Sequence, residues 1–189
     1  AQEALDSSFA RADQDTPDDV KRPMTPLRSG SDESLVEWDT MGREGRTFVG
    51  RGPDAEQIHD LTGRSAIDPI RVYAGLASAE DAEQRAALAV DDLERAGAFE
   101  RKYLLVVTTT GTGWVEPSAA SGFEYVTGVD SAIVPMQYSH LASWLSFLVD
   151  AARAREAGRM LFDAVYEHWL TLPVGDRPEL HVFGESLGS

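Results

Sequence analysis

"YLLVVTTTGTGW" (103–114) decides how this chain is read. Its first half is an unbroken aliphatic and β-branched run. That is the pattern of a strand buried on both faces, as in a parallel sheet with helices on either side. Its second half turns polar and glycine-rich at once, so the strand ends in a loop whose backbone Gly111 and Gly113 leave free to turn. A second stretch has the same form. "ELHVFGESLGS" (179–189) is an apolar strand running into Gly184-Glu185-Ser186-Leu187-Gly188. That segment fits G-x-S-x-G, a serine nucleophile on a sharp strand-to-helix turn.

Between and before these stretches the pattern alternates. "IRVYAG" (70–75) and "SAIVPMQYS" (131–139) read as further strands, with Pro135 the weak point of the second. "DAEQIHDLTG" (54–63) reads as a short helix closed by glycine. "SAEDAEQRAALAVDDLERAG" (78–97) reads as a helix with Ser78 as its cap and Ala86, Ala89, Val90 and Leu93 on its apolar face. "AARAREAGRMLFDAVYEHWLTL" (151–172) is a long amphipathic helix with Ala157, Leu161 and Val165 in its stripe. Residues 38–53, rich in Gly and Arg, read as ordered loop and short strand. Residues 1–34, with Pro17, Pro23 and Pro26 and the run "RSGSDES", read as a polar arm or linker. The folded domain then spans 35–189. Strand–helix–strand alternation predicts an α/β fold, a mostly parallel sheet with flanking helices.

In such sheets the working site lies beyond the carboxyl ends of the strands. Two of the strands end there in "TTTGTGW" and "GESLG", and this brings the candidate residues together. Ser186 is the nucleophile. The N–H of Leu187, just past it, points at a developing oxyanion, and Gly111, Thr112 and Gly113 supply the second donor. Trp114, Glu185 and His140 are candidates for the substrate pocket. The loop completes neither common glycine-rich phosphate motif.

Composition narrows the function further. The chain has 189 residues, 42% hydrophobic, with a formal net charge of −15 and no cysteine. Such acidity argues against binding nucleic acid or an anionic lipid surface. Without cysteine there is no disulfide, thiolate metal site or cysteine nucleophile. The acidic pairs Asp91–Asp92 and Glu80–Asp81 read as solvated helix surface, so no metal and no cofactor is expected. No run approaches the roughly 20 apolar residues that span a bilayer. The start at Ala1 instead of Met suggests that an upstream part is missing.

The stretches "GRTFVGRGP", "PIRVYAGL", "RAALAVDDLERAGAFERKYLLVVTTTGTGWVEP", "AIVPMQYSHLASWLSFLVD" and "FGESLGS" together resemble an actinobacterial, membrane-associated α/β-hydrolase family. The resemblance covers roughly residues 28–189 and implies a serine hydrolase with Ser186 as nucleophile and an oxyanion loop around Gly111–Trp114. It also implies membrane association, through N-terminal transmembrane helices ahead of residue 1, and a small-molecule or lipid ester as substrate. In such folds the acid and the histidine follow the serine. Here all four histidines (His59, His140, His168, His181) precede it. The chain therefore reads as the N-terminal half of an α/β-hydrolase fold, truncated before its acid and histidine and inactive alone. The alternative is a non-catalytic α/β binding module or a membrane-tethered interaction domain.

Overall fold

The computed structural model describes residues 12–128, 130–139 and 143–185, with the side chains of 143–154 outside the description. The strands are β1 (Ile70–Arg71), β2 (Tyr103–Thr108), β3 (Ser131–Met136) and β4 (Glu179–Gly184). They form one parallel sheet in the order β1-β3-β2-β4. The helices are α1 (Gly42–Gly50), α2 (Ala55–Thr62), α3 (Ala82–Arg95), α4 (Pro117–Thr127) and α5 (Ser143–Thr171). The fold is thus the expected α/β sheet with flanking helices.

The order of the strands dictates which helix covers which face. The connections through α3 and through α5 both step along the sheet from the β1 side towards β4, whereas the one through α4 steps back. With right-handed crossovers, α3 and α5 must share one face and α4 must take the other. The core divides accordingly. Leu104 and Val106 of β2 pack with Ala89 and Leu93 of α3 and Leu161 and Val165 of α5. Leu105 and Val107 turn the other way and pack with Phe48 and Val49 of α1 and Ala120 of α4. The two-residue alternation of a strand therefore serves two cores at once.

β1 is shorter than the 70–75 run suggests, and Pro135 explains why. Ala74 N–H bonds to Pro135 O at 3.4 Å, so the Pro135 nitrogen faces the same neighbour, where it has no hydrogen to give. The ladder between β1 and β3 lapses there and resumes only as a single bridge between Ala74 and Met136. On its other side β3 pairs with β2 without interruption, through Val107↔Pro135 and Thr108↔Met136.

Three local expectations are corrected. Residues 38–53 do not form a loop and short strand: α1 is a helix across their centre, preceded by a 3₁₀ turn at Trp38–Thr40. Its glycines are poor helix formers, so tertiary contacts hold it. A Cβ on Gly45 would lie 2.5 Å from the Tyr73 ring, so only glycine lets the helix sit this close to β1. Its last carbonyls are met by two arginines. Arg28 donates to Val49 O at 3.0 Å and Arg71 to Phe48 O at 2.8 Å, which satisfies groups that a helix end leaves open. Second, α3 is capped by Asp81, whose carboxylate accepts Gln84 N–H at 2.8 Å. Ser78 instead accepts Gly75 N–H at 2.9 Å and meets the Thr40 hydroxyl. Third, Asp92 is not solvated surface. It is fully buried and accepts from the Ser29 hydroxyl at 2.6 Å, Leu35 N–H at 2.8 Å and Arg95 at 2.6 Å.

Those bonds belong to the N-terminal segment, which from residue 12 lies against the domain. Ser29 N–H bonds to Arg71 O and Arg71 N–H to Leu27 O, so residues 27–29 run beside β1 and cover that edge of the sheet. At the opposite edge β4 pairs with β2 alone among the described residues. Its Val182 is 67% exposed and its Phe183 38%.

Candidate active site

The two strand ends singled out in the sequence meet. Thr108, the last residue of β2, pairs with Gly184, the last of β4. One residue further, Glu185 N–H donates to Thr108 O at 3.1 Å. Ser186 and Leu187, and His140 with them, lie outside the described residues. The loop 109–116 lies wholly within the described residues.

Thr110 organises the loop. Gly113 N–H bonds to Thr110 O at 3.0 Å, Thr110 N–H to Trp114 O at 3.2 Å, and Trp114 N–H to the Thr110 hydroxyl at 3.2 Å. Side chains from the sheet then hold its carbonyls. The Tyr73 hydroxyl donates to Gly113 O at 2.8 Å, and Gln137 Nε2 to Thr112 O at 3.1 Å. Thr109 is anchored to β3 through Met136 O at 3.2 Å. Gly113 has φ +89°, and a Cβ there would overlap the Tyr73 hydroxyl, so glycine is required on both grounds. Tyr73 is fully buried. Burial, reinforced by the charges of Asp13 and Glu44, raises its pKa well above that of an ordinary phenol, so it remains a donor.

These bonds use the N–H groups of Gly113 and Trp114. Among the described residues nothing accepts the N–H of Gly111 or of Thr112. Gly111 is buried and Thr112 half-buried, so two donors unclaimed among the described residues lie in a loop beside the end of β4, an arrangement able to receive an anionic oxygen.

Glu185 is buried, and its Oε1 accepts Glu116 N–H at 2.7 Å, while its Oε2 has no partner among the described residues. Burial raises its pKa above the usual carboxylate value, opposed by the Glu116 N–H and assisted by the charge of Glu116. Trp114 is 38% exposed and joins Phe48, Val115 and Pro117 around a cavity of about 260 Å³. A larger cavity of about 720 Å³ is lined by Arg101, Lys102 and Asp130, which precede β2 and β3, so it opens at the wrong end of the sheet for this site.

None of the described histidines hydrogen-bonds the loop, although His181 lines a cavity together with Val115. His59 on α2 bonds Arg64 O, and His168 near the end of α5 packs on Phe99. His181 lies within β4 against Tyr103 and Phe123. Among the described residues no group of three His, Cys, Asp or Glu is arranged to hold a metal. No described helix is long and apolar enough to cross a membrane.

Sequence reasoning missed the loop's supports, Tyr73, Gln137 and Glu116. The one available signal was position: Tyr73 and Gln137 are polar groups at the carboxyl ends of apolar strands, where α/β sites are built.

A parallel α/β sheet with a glycine-rich loop after one central strand, beside the strand on which G-E-S-L-G begins, is consistent with a hydrolase-type fold. The comparisons agree. The model of the alpha/beta-hydrolase family matches residues 70–189, and that of the alpha/beta-hydrolase family N-terminus matches residues 1–53. The chain belongs to the alpha/beta-hydrolase family. No curated protein and no solved structure matches it.

Proposed function

We propose that this chain carries the nucleophile of a serine ester hydrolase, esterase- or lipase-like, acting on a small-molecule or lipid ester. One observation carries the reading. The bond from Glu185 N–H to Thr108 O, 3.1 Å, joins the residue before the serine to the root of a loop with two amides unclaimed among the described residues. Ser186 Oγ adds to the acyl carbon while its proton passes to a base. The oxyanion takes the N–H of Leu187 and that of Gly111 or Thr112, with Trp114 beside the departing or retained group. The base then protonates the alcohol as it leaves, and water releases the acyl group.

No base for Ser186 is assigned among the described residues: His59 bonds Arg64 O, His168 packs on Phe99 and His181 packs against Tyr103. The same observation is what favours the competing reading, a non-catalytic α/β binding or membrane-tethered domain. Membrane association belongs to this proposal too, through a region upstream of residue 1, as the family resemblance implies. No cofactor is required.

The test is a short-chain ester assay with a serine-directed phosphonate label, run on the full hydrolase domain. Ser186→Ala is expected to lower kcat by at least ~10³-fold and to abolish labelling. A full domain that neither turns over esters nor takes the label would transfer the case to the binding-module reading.

A further inference from the structure

The loop 109–116 is attached to the nucleophile strand at both of its ends, and one residue makes both attachments. At the entry, the backbone N–H of Glu185 donates to Thr108 O at 3.1 Å. At the exit, its Oε1 accepts Glu116 N–H at 2.7 Å. Glu116 is the residue on which α4 starts, ahead of Pro117 in the first turn. We propose that Glu185 is the positioning residue of the oxyanion loop, a clip that fixes the spacing between the loop amides and the serine that follows it.

The proposal rests on the hydrolase reading above and adds to it a role for the residue inside the motif. An oxyanion hole works because its donors are in place before charge develops, so nothing need reorganise during the reaction. Its two donors here lie on separate chain segments: Leu187 follows β4, and Gly111 and Thr112 follow β2. Tyr73 and Gln137 hold the loop's carbonyls from the ends of β1 and β3, and among the described residues neither hydrogen-bonds β4. Among the described side chains Glu185 links the loop to the nucleophile strand, and it does so from within one residue of the nucleophile.

A carboxylate suits this position geometrically. It is 7% exposed and reaches a helix-start amide that an apolar side chain would leave unpaired. The bond needs an acceptor oxygen and no charge, so glutamine should replace glutamate in this role. Alanine should not.

The experiment uses the full-length protein with Glu185→Ala, Glu185→Gln and Glu116→Pro. The proline removes the donating N–H from the other side, at a residue whose φ of −60° suits it. Hydrogen exchange of residues 109–116 is read first, because it needs no catalytic activity. Glu185→Ala should speed exchange there by at least ~10-fold while β2 and β3 stay protected. Glu116→Pro should do the same at the neighbouring amides, and Glu185→Gln should stay near wild type. Ester kinetics are read second: kcat should fall roughly 10- to 100-fold in the first two variants with KM within about twofold, and recover in the glutamine variant.

Unchanged exchange in Glu185→Ala, or in Glu116→Pro should the alanine variant not fold, overturns the clip. So does a glutamine variant as damaged as the alanine one, because the carboxyl proton or charge would then matter and not the acceptor. An inert wild type with a loop loosened by these substitutions would sink the hydrolase reading and leave the clip standing.

Discussion

Two polar clusters are buried on the face of the sheet that carries α1 and α4, and they differ in how fully their hydrogen bonds are met. In the first, Arg71 forms a bidentate pair with Glu124, Nε to Oε1 at 2.8 Å and Nη2 to Oε2 at 2.7 Å. Its Nη1 reaches Phe48 O at 2.8 Å and Arg51 O, and the guanidinium lies over the Phe48 ring at 4.7 Å. Arg28 completes the end of α1 with bonds to Val49, Arg51 and Pro53 carbonyls. The second cluster, around the 109–116 loop, leaves two amides and one carboxylate oxygen unclaimed among the described residues. Fully satisfied polar groups specify structure. Groups held rigid and left open are where a fold departs from local optimisation, and such departures mark function.

The largest expected effect tests the satisfied cluster. Arg71→Ala would leave Glu124, which is fully buried, without its counter-charge, and would strip the end of α1 of a donor. A broken buried pair typically costs about 3–5 kcal/mol, whereas replacing both partners with apolar side chains costs far less. Urea unfolding should therefore rank Arg71→Ala and Glu124→Ala well below Arg71→Met/Glu124→Leu. A loss under about 1 kcal/mol in both single variants would remove the contrast between the two clusters.

A smaller effect tests the open cluster. Tyr73→Phe keeps the ring against Gly45 and removes only the donor to Gly113 O. The stranded carbonyl should cost about 1–2 kcal/mol. If the loop serves catalysis, kcat in the full domain should fall further than that loss of stability accounts for at temperatures where the variant is folded. Equal kcat in Tyr73→Phe and wild type would make the loop a structural turn.

The two clusters also differ in how visible they were in the sequence. The strands and the long helices were legible because apolar period is a local signal: "YLLVVT" is a buried strand wherever it falls. The loop and the elbow were legible because glycine marks backbone that must turn, as Gly113 does at φ +89°. α1 was hidden, since Gly45 and Gly50 argue against a helix and what holds it comes from Tyr73, Arg28 and Arg71, elsewhere in the chain. Asp92 was hidden for the same reason, for two of its partners, Ser29 and Leu35, lie more than fifty residues away. α4 had signals of its own, Pro117 at the start and Gly128 at the end, yet no helix was assigned there from the sequence. Glu185 could be named from the motif, but its bond to Glu116 spans 69 positions and no local pattern encodes it.

The smallest effect bears on that residue and is read as a pH dependence. Burial raises the Glu185 pKa in the folded protein, opposed by the Glu116 N–H bond and assisted by the negative charge of Glu116. In the unfolded chain the group titrates near the usual glutamate value, about 4.3. Between that value and the raised one the folded state holds the proton more often than the unfolded state does. Stability must therefore fall as pH rises through this window and stay at the lower level above it. Glu185→Gln keeps an acceptor for Glu116 N–H and has no proton to lose, so it should not show this component. The difference in unfolding free energy, Glu185→Gln minus wild type, should then be flat below about pH 4, move in favour of the glutamine as pH rises, and level off. Taking the difference cancels Glu44, whose pKa is also raised by burial and would otherwise add a slope of the same sign. Denaturant titrations from pH 3 to 8 on both proteins measure it. A difference that instead moves in favour of glutamate with rising pH would mean that the folded protein stabilises the charged carboxylate. Glu185 would then belong with the satisfied groups, beside Glu124, and not with the open ones.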